Sequence, residues 1–487
     1  MSTTKQTHDH AELRSMGFDY VFDEEASGFP EPPKGPEEAH GDHETTLLAQ
    51  LALGGVAVGL IAMAVQWITG TLLGTGLGFL LAFMLPSVAG AVYFWEDYRH
   101  GNPGIKNNGI FFSGAKLRGM AGWLIGVVLT GFYVLLYWYP QYLGWSPGYS
   151  GEGGEWISGH VTGGMVEMVQ PLATWLGVTS SQWFLYGVVY TLAIAVFAVR
   201  AAMRYRHSRY HLVRTGSIVF FQSIFAWFLP QLLVRFKQPY MEFNGVWPLK
   251  NNYLWPEKIS ASGEFVKGGD FGLFLKWFAV ALVVAVPILT YYYGKRWYCS
   301  WVCGCGGLAE TVGDPWRQNS DKSTRAWWIE RITIYTVLAL VLLTTAALWI
   351  DYRNTGSAYG SWAGKYREAY GFYIGALFAG VAGVGFYPIL GTRVWCRFGC
   401  PLAAILGILQ RVFSRFRITT NGGQCISCGN CSTYCEMGID VRSYAQSGEN
   451  IVRASCVGCG VCAAVCPRGV LKLENGSSIL EEERYTR

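Results

Sequence analysis

The sequence predicts an α-helical membrane protein of about eight spanning helices, followed by a small cysteine-rich α+β domain. Three observations predict it. Of the 487 residues, 51% are hydrophobic and only 15% charged, against about 25% charged in a soluble chain, so lipid solvates most of this one. Apolar runs recur from residue 46 to residue 391, each long enough to cross a hydrocarbon core of roughly 30 Å. Eight of the thirteen cysteines fall between Cys425 and Cys466, in two copies of one spacing.

The first 45 residues carry eleven Asp/Glu against three Lys/Arg. Such a segment is disordered alone and is expected to find order against another surface, such as a partner subunit. It is polar and acidic, so no signal peptide is expected at this end. The apolar runs are 46–68, 76–95, 119–139, 183–203, 216–234, 271–293, 330–350 and 371–391. Basic residues gather after the second run (Arg99, Lys106, Lys116, Arg118), the fourth (Arg204, Arg206, Arg209, Arg214) and the sixth (Lys295, Arg296, Arg317, Lys322, Arg325). The stretch 140–182 holds no Lys or Arg. Positive charge stays inside, so both termini are expected in the cytoplasm and the loops 140–182 and 235–270 outside. A net charge of only +5, dispersed among loops, argues against a nucleic-acid partner.

No histidine falls within the middle of a run, so paired-histidine haem is not expected. His207 and His211 share a helix face, but their basic surroundings read as a solvated helix end. No Asp or Glu falls there either, which leaves little for a proton-pumping relay.

The cysteine-rich stretch reads Cys425-x2-Cys428-x2-Cys431-x3-Cys435, then Cys456-x2-Cys459-x2-Cys462-x3-Cys466-Pro467. This is the spacing of bacterial two-cluster ferredoxins, in which the fourth cysteine of each run ligates the other run's cluster. One [4Fe–4S] cluster is therefore assigned to Cys425, Cys428, Cys431 and Cys466. The other is assigned to Cys456, Cys459, Cys462 and Cys435. Zinc sites use pairs of C-x2-C rather than triplets with a trailing fourth thiol. Glu436 stands where the first run would usually carry proline; proline is no ligand, so the cluster should survive. Such thiols need a reducing compartment, again the cytoplasmic side.

A second constellation is repeated. Gly294-Lys-Arg-Trp-Tyr-Cys299-Ser-Trp-Val-Cys303-Gly-Cys305 follows the sixth run, and Gly391-Thr-Arg-Val-Trp-Cys396-Arg-Phe-Gly-Cys400-Pro401 the eighth. Cysteines four apart share a helix face, so Cys299, Cys303, Cys396 and Cys400 could converge as a third cluster or as a site that binds and reduces a metal ion. Buried inert thiols are the alternative, and Cys305 is left over. Residues 402–416 read as an amphipathic helix lying on the membrane surface.

At these residues the chain resembles the NapH/NosR/CcoG group of membrane-bound polyferredoxins, over roughly residues 270–475. The stretch Cys435-Glu-Met-Gly-Ile-Asp-Val-Arg442 is similar to the CcoG type. Gly304 stands where the group has proline. Neither the flavin-binding domain of NosR-type members nor the immunoglobulin-like domain of CcoG is expected, and NapH-type members have about half these spans. The resemblance implies electron transfer between the membrane quinone pool and a partner reductase or redox carrier. Copper reduction during maturation of a respiratory metalloenzyme is the alternative it allows. The expected layout is an acidic tail (1–45), a transmembrane domain (46–415), a dicluster ferredoxin domain (416–475) and a short tail (476–487).

Overall fold

The computed structural model describes residues 46–69, 74–99, 119–146, 159–294, 296–356, 362–413, 416–421 and 424–475, all within a unit spanning Thr45–Arg487. The acidic tail with its expected docking, most of the loop 100–118 and the tail 476–487 lie outside the described residues.

Seven helices among the described residues are long and apolar enough to cross a membrane. They are α1 (Leu47–Thr69), α2 (Thr75–Arg99), α3 (Met120–Trp138), α4 (Gln182–Arg204), α5 (Arg209–Arg235) and α6 (Gly269–Tyr293), then, after short helices α7 (Trp297–Trp301) and α8 (Gly304–Glu310), α9 (Thr324–Thr355). Most expose large apolar side chains, among them Ile61, Val127, Trp277 and Leu343. That surface suits hydrocarbon, because helices satisfy their backbone internally. The eighth expected run, 371–391, falls largely within a helix over residues 362–385 that is less apolar than the others. Five glycines (Gly371, Gly375, Gly380, Gly383, Gly385) and the charged Lys365, Arg367 and Glu368 dilute it. Seven helices, rather than eight, therefore meet the spanning criterion.

Two further expectations change. The segment between α5 and α6 is not simply an outer loop. The Phe243 N–H donates to the Phe225 carbonyl at 3.1 Å, within the π-wound part of α5. Val246 is buried in the same core as Cys299, Cys303 and Cys400. The segment thus folds back into the bundle, with Tyr253 and Phe265 buried in its core. The second change concerns helix α11 (Pro401–Phe413), preceded by α10 (Val394–Phe398). Rather than floating on lipid, α11 buries Leu402, Ala403, Ala404 and Leu406 and packs on α6 and α9. Its Gln410 amide donates to the Arg453 carbonyl at 2.9 Å. An apolar helix face is satisfied equally by protein or by acyl chains, so periodicity could not choose.

The C-terminal domain pairs β1 (Phe416–Thr420) antiparallel to β2 (Leu471–Asn475), with Ile418 opposite Leu473. Between them lie α12 (Asn430–Thr433), α13 (Val441–Ser447) and α14 (Val461–Ala464). Gly429 and Gly460, both at φ 77°, open α12 and α14. That left-handed turn strains any other residue, and it sets Cys431 and Cys462 in equivalent places. One apolar core runs from Val286 and Cys299 at the membrane helices through to Cys431, Cys456 and Leu471.

Candidate functional site

Two cavities lie in the C-terminal domain. The first is lined by Cys425, Cys428, Cys431 and Cys466. The second is lined by Cys435, Cys456, Cys459 and Cys462. Each thus gathers three thiols from one run and the trailing thiol of the other. Among the described residues no three cysteine sulfurs lie within 4.8 Å of one another. A tetrahedral zinc with Zn–S near 2.3 Å would set its sulfurs about 3.8 Å apart. Four thiols lining one pocket in this order carry the ligand spacing of a [4Fe–4S] cubane.

The two cavities meet different surroundings. Around the second, the Tyr210 hydroxyl donates to the Gly458 carbonyl at 2.7 Å, Ser300 Oγ to the Val457 carbonyl at 3.0 Å, and Arg214 to the Cys459 carbonyl. It is therefore pressed against α5 and α7. The first cavity lies at an exposed surface: Cys428 is exposed and Ile426 retains 56% of its accessible area.

Beside the second cavity sits a buried network of charge. Glu436 lies 2.8 Å from Arg317 and 3.0 Å from Arg393. Glu310 lies 2.6 Å from Arg393 and 2.8 Å from Arg214, and also contacts Arg317. Asp314 takes Arg204 at 2.6 Å, Arg317 at 2.8 Å, the Tyr205 hydroxyl at 3.0 Å, and Arg200. All these side chains are essentially sealed from solvent. Burial pushes the carboxyls of Glu310 and Asp314 up, but the arginines outweigh it and hold both below the usual carboxylate range. Glu310, Glu436 and Cys459 bring ligand atoms within 4.8 Å of one another; the arginines already occupy those carboxylates. His211 is buried as well, its ring stacked on Tyr205 at 4.9 Å and its Nδ1 2.8 Å from Ser208 Oγ. Of the helix end expected to be solvated, His207 stays exposed and His211 instead joins this interface.

The repeated motifs fold alike. Gly294 (φ 67°, ψ 176°) and Gly391 (φ 90°, ψ 175°) share one backbone conformation. The Cys303 N–H donates to the Tyr298 carbonyl and the Cys400 N–H to the Trp395 carbonyl, both at 2.9 Å. The arginines then cross over. Arg296 reaches the Cys396 carbonyl at 3.4 Å and Arg393 the Cys299 carbonyl at 3.0 Å. All four thiols, Cys299, Cys303, Cys396 and Cys400, are buried and close enough for charge on each to act on its neighbours. Burial and Cys303 push Cys299 up to about 12. A hydrogen bond from Cys305, with backbone amides, draws Cys303 down to about 7 despite burial, so the leftover thiol belongs to this group. A Cβ on Gly306 would lie 1.6 Å from the Cys299 carbonyl oxygen, and one on Gly304 2.9 Å from the Tyr190 hydroxyl. That hydroxyl donates to the Gly304 carbonyl at 2.9 Å, which accounts for glycine at the group's proline position.

Sequence reasoning missed the ion-pair network and the polar residues Tyr190, Gln222 and Asn244 behind the thiols. Gln222 donates to the Val302 carbonyl at 2.6 Å and accepts from Asn244 at 3.1 Å. A buried-capable Gln in the middle of an apolar run was the available signal.

Helices fit for a bilayer and two thiol-ringed cavities in a ferredoxin-type domain define a membrane-spanning iron–sulfur protein. The family described as 4Fe-4S dicluster domain matches residues 424–471, and that described as 4Fe-4S binding domain matches twice, at 275–322 and 373–419. The double match coincides with the repeated motifs. Over these residues the chain is similar to ferredoxin-type electron transport proteins of the NapH-like polyferredoxin kind. One relative is YccM of Escherichia coli K12, provisionally described as an electron transport protein. It is 26% identical over 175 residues, 34% of this chain and 48% of that one. The methylamine utilization ferredoxin-type proteins MauN are others. That of Paracoccus denitrificans is 31% identical over 176 residues, 32% of this chain and 54% of its own. That of Methylorubrum extorquens is 27% identical over 202 residues, 39% and 67% respectively. The chain spans about half the length of the first two. No solved structure matches.

Proposed function

We propose that this protein relays single electrons between the membrane quinone pool and a partner oxidoreductase or redox carrier, as a subunit of a larger respiratory assembly. Arg393 carries the reading. It donates to the Cys299 carbonyl, its Nη1 lies 3.8 Å from Cys396 Sγ, and it pairs with Glu436 beside the second cavity. A single guanidinium therefore joins the membrane thiols to the ferredoxin domain. Cys425, Cys428, Cys431 and Cys466 hold one [4Fe–4S] cluster; Cys435, Cys456, Cys459 and Cys462 hold the other. Bound there, such clusters supply one-electron transfer without proton or group transfer. The protein's part is to orient the thiolates, exclude water from the second cavity, and fix the distance between sites.

Cys299, Cys303, Cys396 and Cys400 form a third site, for a cluster or another thiophilic metal. The two-fold match to a 4Fe-4S binding family supports it. The order that follows is membrane thiols, second cavity, first cavity. The clusters and both termini lie on the cytoplasmic face of the inner membrane, supported by the Lys- and Arg-free stretch 140–182 opposite the basic loops.

The test is iron analysis and electron paramagnetic resonance on the purified full chain, together with identification of co-purifying subunits. About eight irons in two [4Fe–4S] signals are expected; a zinc-loaded preparation with neither signal would end the reading. A second reading, reduction of copper for a metalloenzyme's assembly, is favoured by the five soft thiols gathered around Cys303. It predicts failed maturation of that enzyme while its electron supply stays intact.

A further inference from the structure

We infer that the rim of the first cavity is the docking face for an acidic, soluble redox carrier. This rests on the relay reading above. The second cavity is flanked by α5 and α7, through Tyr210, Arg214 and Ser300, and none of its four cysteines is exposed. An electron must leave where the thiolates approach solvent, and Cys428 is exposed. Around it the surface has a definite chemistry. Arg442 and Arg468 are the only charged side chains lining the cavity. Both are exposed, and among the described residues neither pairs with a carboxylate. Asp440, the nearest acid in sequence to Arg442, is occupied by the Ser432 hydroxyl at 2.7 Å.

The same rim carries an apolar ledge. Ile426 is 56% exposed, and Ser427 beside it holds φ 58°, a conformation that a non-glycine residue adopts only under constraint. The constraint is visible, because Gln446 Nε2 donates to Ser427 Oγ at 2.7 Å. The ledge is therefore braced by α13 rather than free to retreat into the domain. A rim with an exposed apolar residue and two guanidinium groups complements a patch that is apolar and rich in carboxylates: charge sets the encounter rate and the ledge sets the fit. One electron passes from the thiolate-ringed site to the carrier, oxidising the first and reducing the second. No bond forms or breaks.

The experiment uses the full-length, iron-loaded protein in lipid nanodiscs, reduced and mixed by stopped flow with either an acidic two-iron ferredoxin or a basic cytochrome c. Iron content and cluster signal are measured first, which separates failure of the relay reading from failure of this one. The rate to the acidic carrier should fall steeply with ionic strength. In R442E/R468E it should drop roughly tenfold at low salt and lose that salt dependence, while the rate to cytochrome c holds or rises. R442Q/R468Q should lie between. An unchanged rate to the acidic carrier would overturn the proposal. So would equal slowing with both carriers while the cluster signals stay intact.

Discussion

The carboxylate of Glu436 lies 3.0 Å from the Arg393 guanidinium, with neither side chain in contact with solvent. Glu436 directly follows a proposed cluster ligand, at the position where proline usually ends this motif, and Arg393 belongs to the repeated membrane motif. The pair therefore fastens one redox region to the other. Breaking a buried pair by removing one partner costs about 3–5 kcal/mol, because the other charge is stranded. E436Q should lower the melting temperature of the detergent-solubilised protein and expose the second cavity to protease and thiol reagents. A thermal midpoint equal to that of the wild type would contradict this role.

The cavities predict a separable loss of iron. C428S should remove the first cluster and spare the second, halving the iron content. C459S should do the reverse, and with the thiol it removes a neighbour of Glu310 and Glu436, so stability should fall further than in C428S. Loss of all iron from either single variant would show that the two sites do not fill independently.

The crossed arginines predict that the membrane thiols act together. If Cys299, Cys303, Cys396 and Cys400 share one centre, C303S and C400S should abolish the same spectroscopic feature although they sit in different repeats. The C-terminal cluster signals should persist in both. Two variants with different residual features would mean two separate pairs.

The acidic clamp predicts a stability profile. Glu310 and Asp314 titrate below their ordinary range when folded, so they bind fewer protons in the folded state than in the unfolded one. Their contribution is therefore complete above the unfolded carboxyl values, near pH 4, and is lost as the pH falls through the lower folded values. The difference in melting temperature between the wild type and D314N should stay level from pH 8 to pH 5 and shrink only in stronger acid. A maximum near pH 5 would reverse the sign.

Several of these features were open to sequence reasoning, and the boundary has a physical cause. Cysteine spacing speaks through covalent geometry: x2 gaps and a left-handed glycine place three thiols on one side of a turn, whatever surrounds them. Apolar runs speak through the bilayer's thickness. Glu436 was noticed for the missing proline, but its partners Arg317 and Arg393 lie 119 and 43 positions away in the chain. Arg204, Arg214, Arg296 and Arg317 read as topology signals because a loop arginine and a docking arginine look the same in one dimension.

By itself, the sequence determined how the thiols of this protein are grouped by spacing and that most of the chain is apolar enough for lipid. Those properties depend on neighbours within a few residues and on mean composition, and both are written locally. Only the tertiary structure decided the relationships: the crossing of Arg296 and Arg393, the return of the Phe243–Val246 segment into the bundle, and the burial of the second cavity against α5 and α7. Such contacts join residues scores of positions apart, and burial changes the meaning of each charge by removing the water that would otherwise screen it.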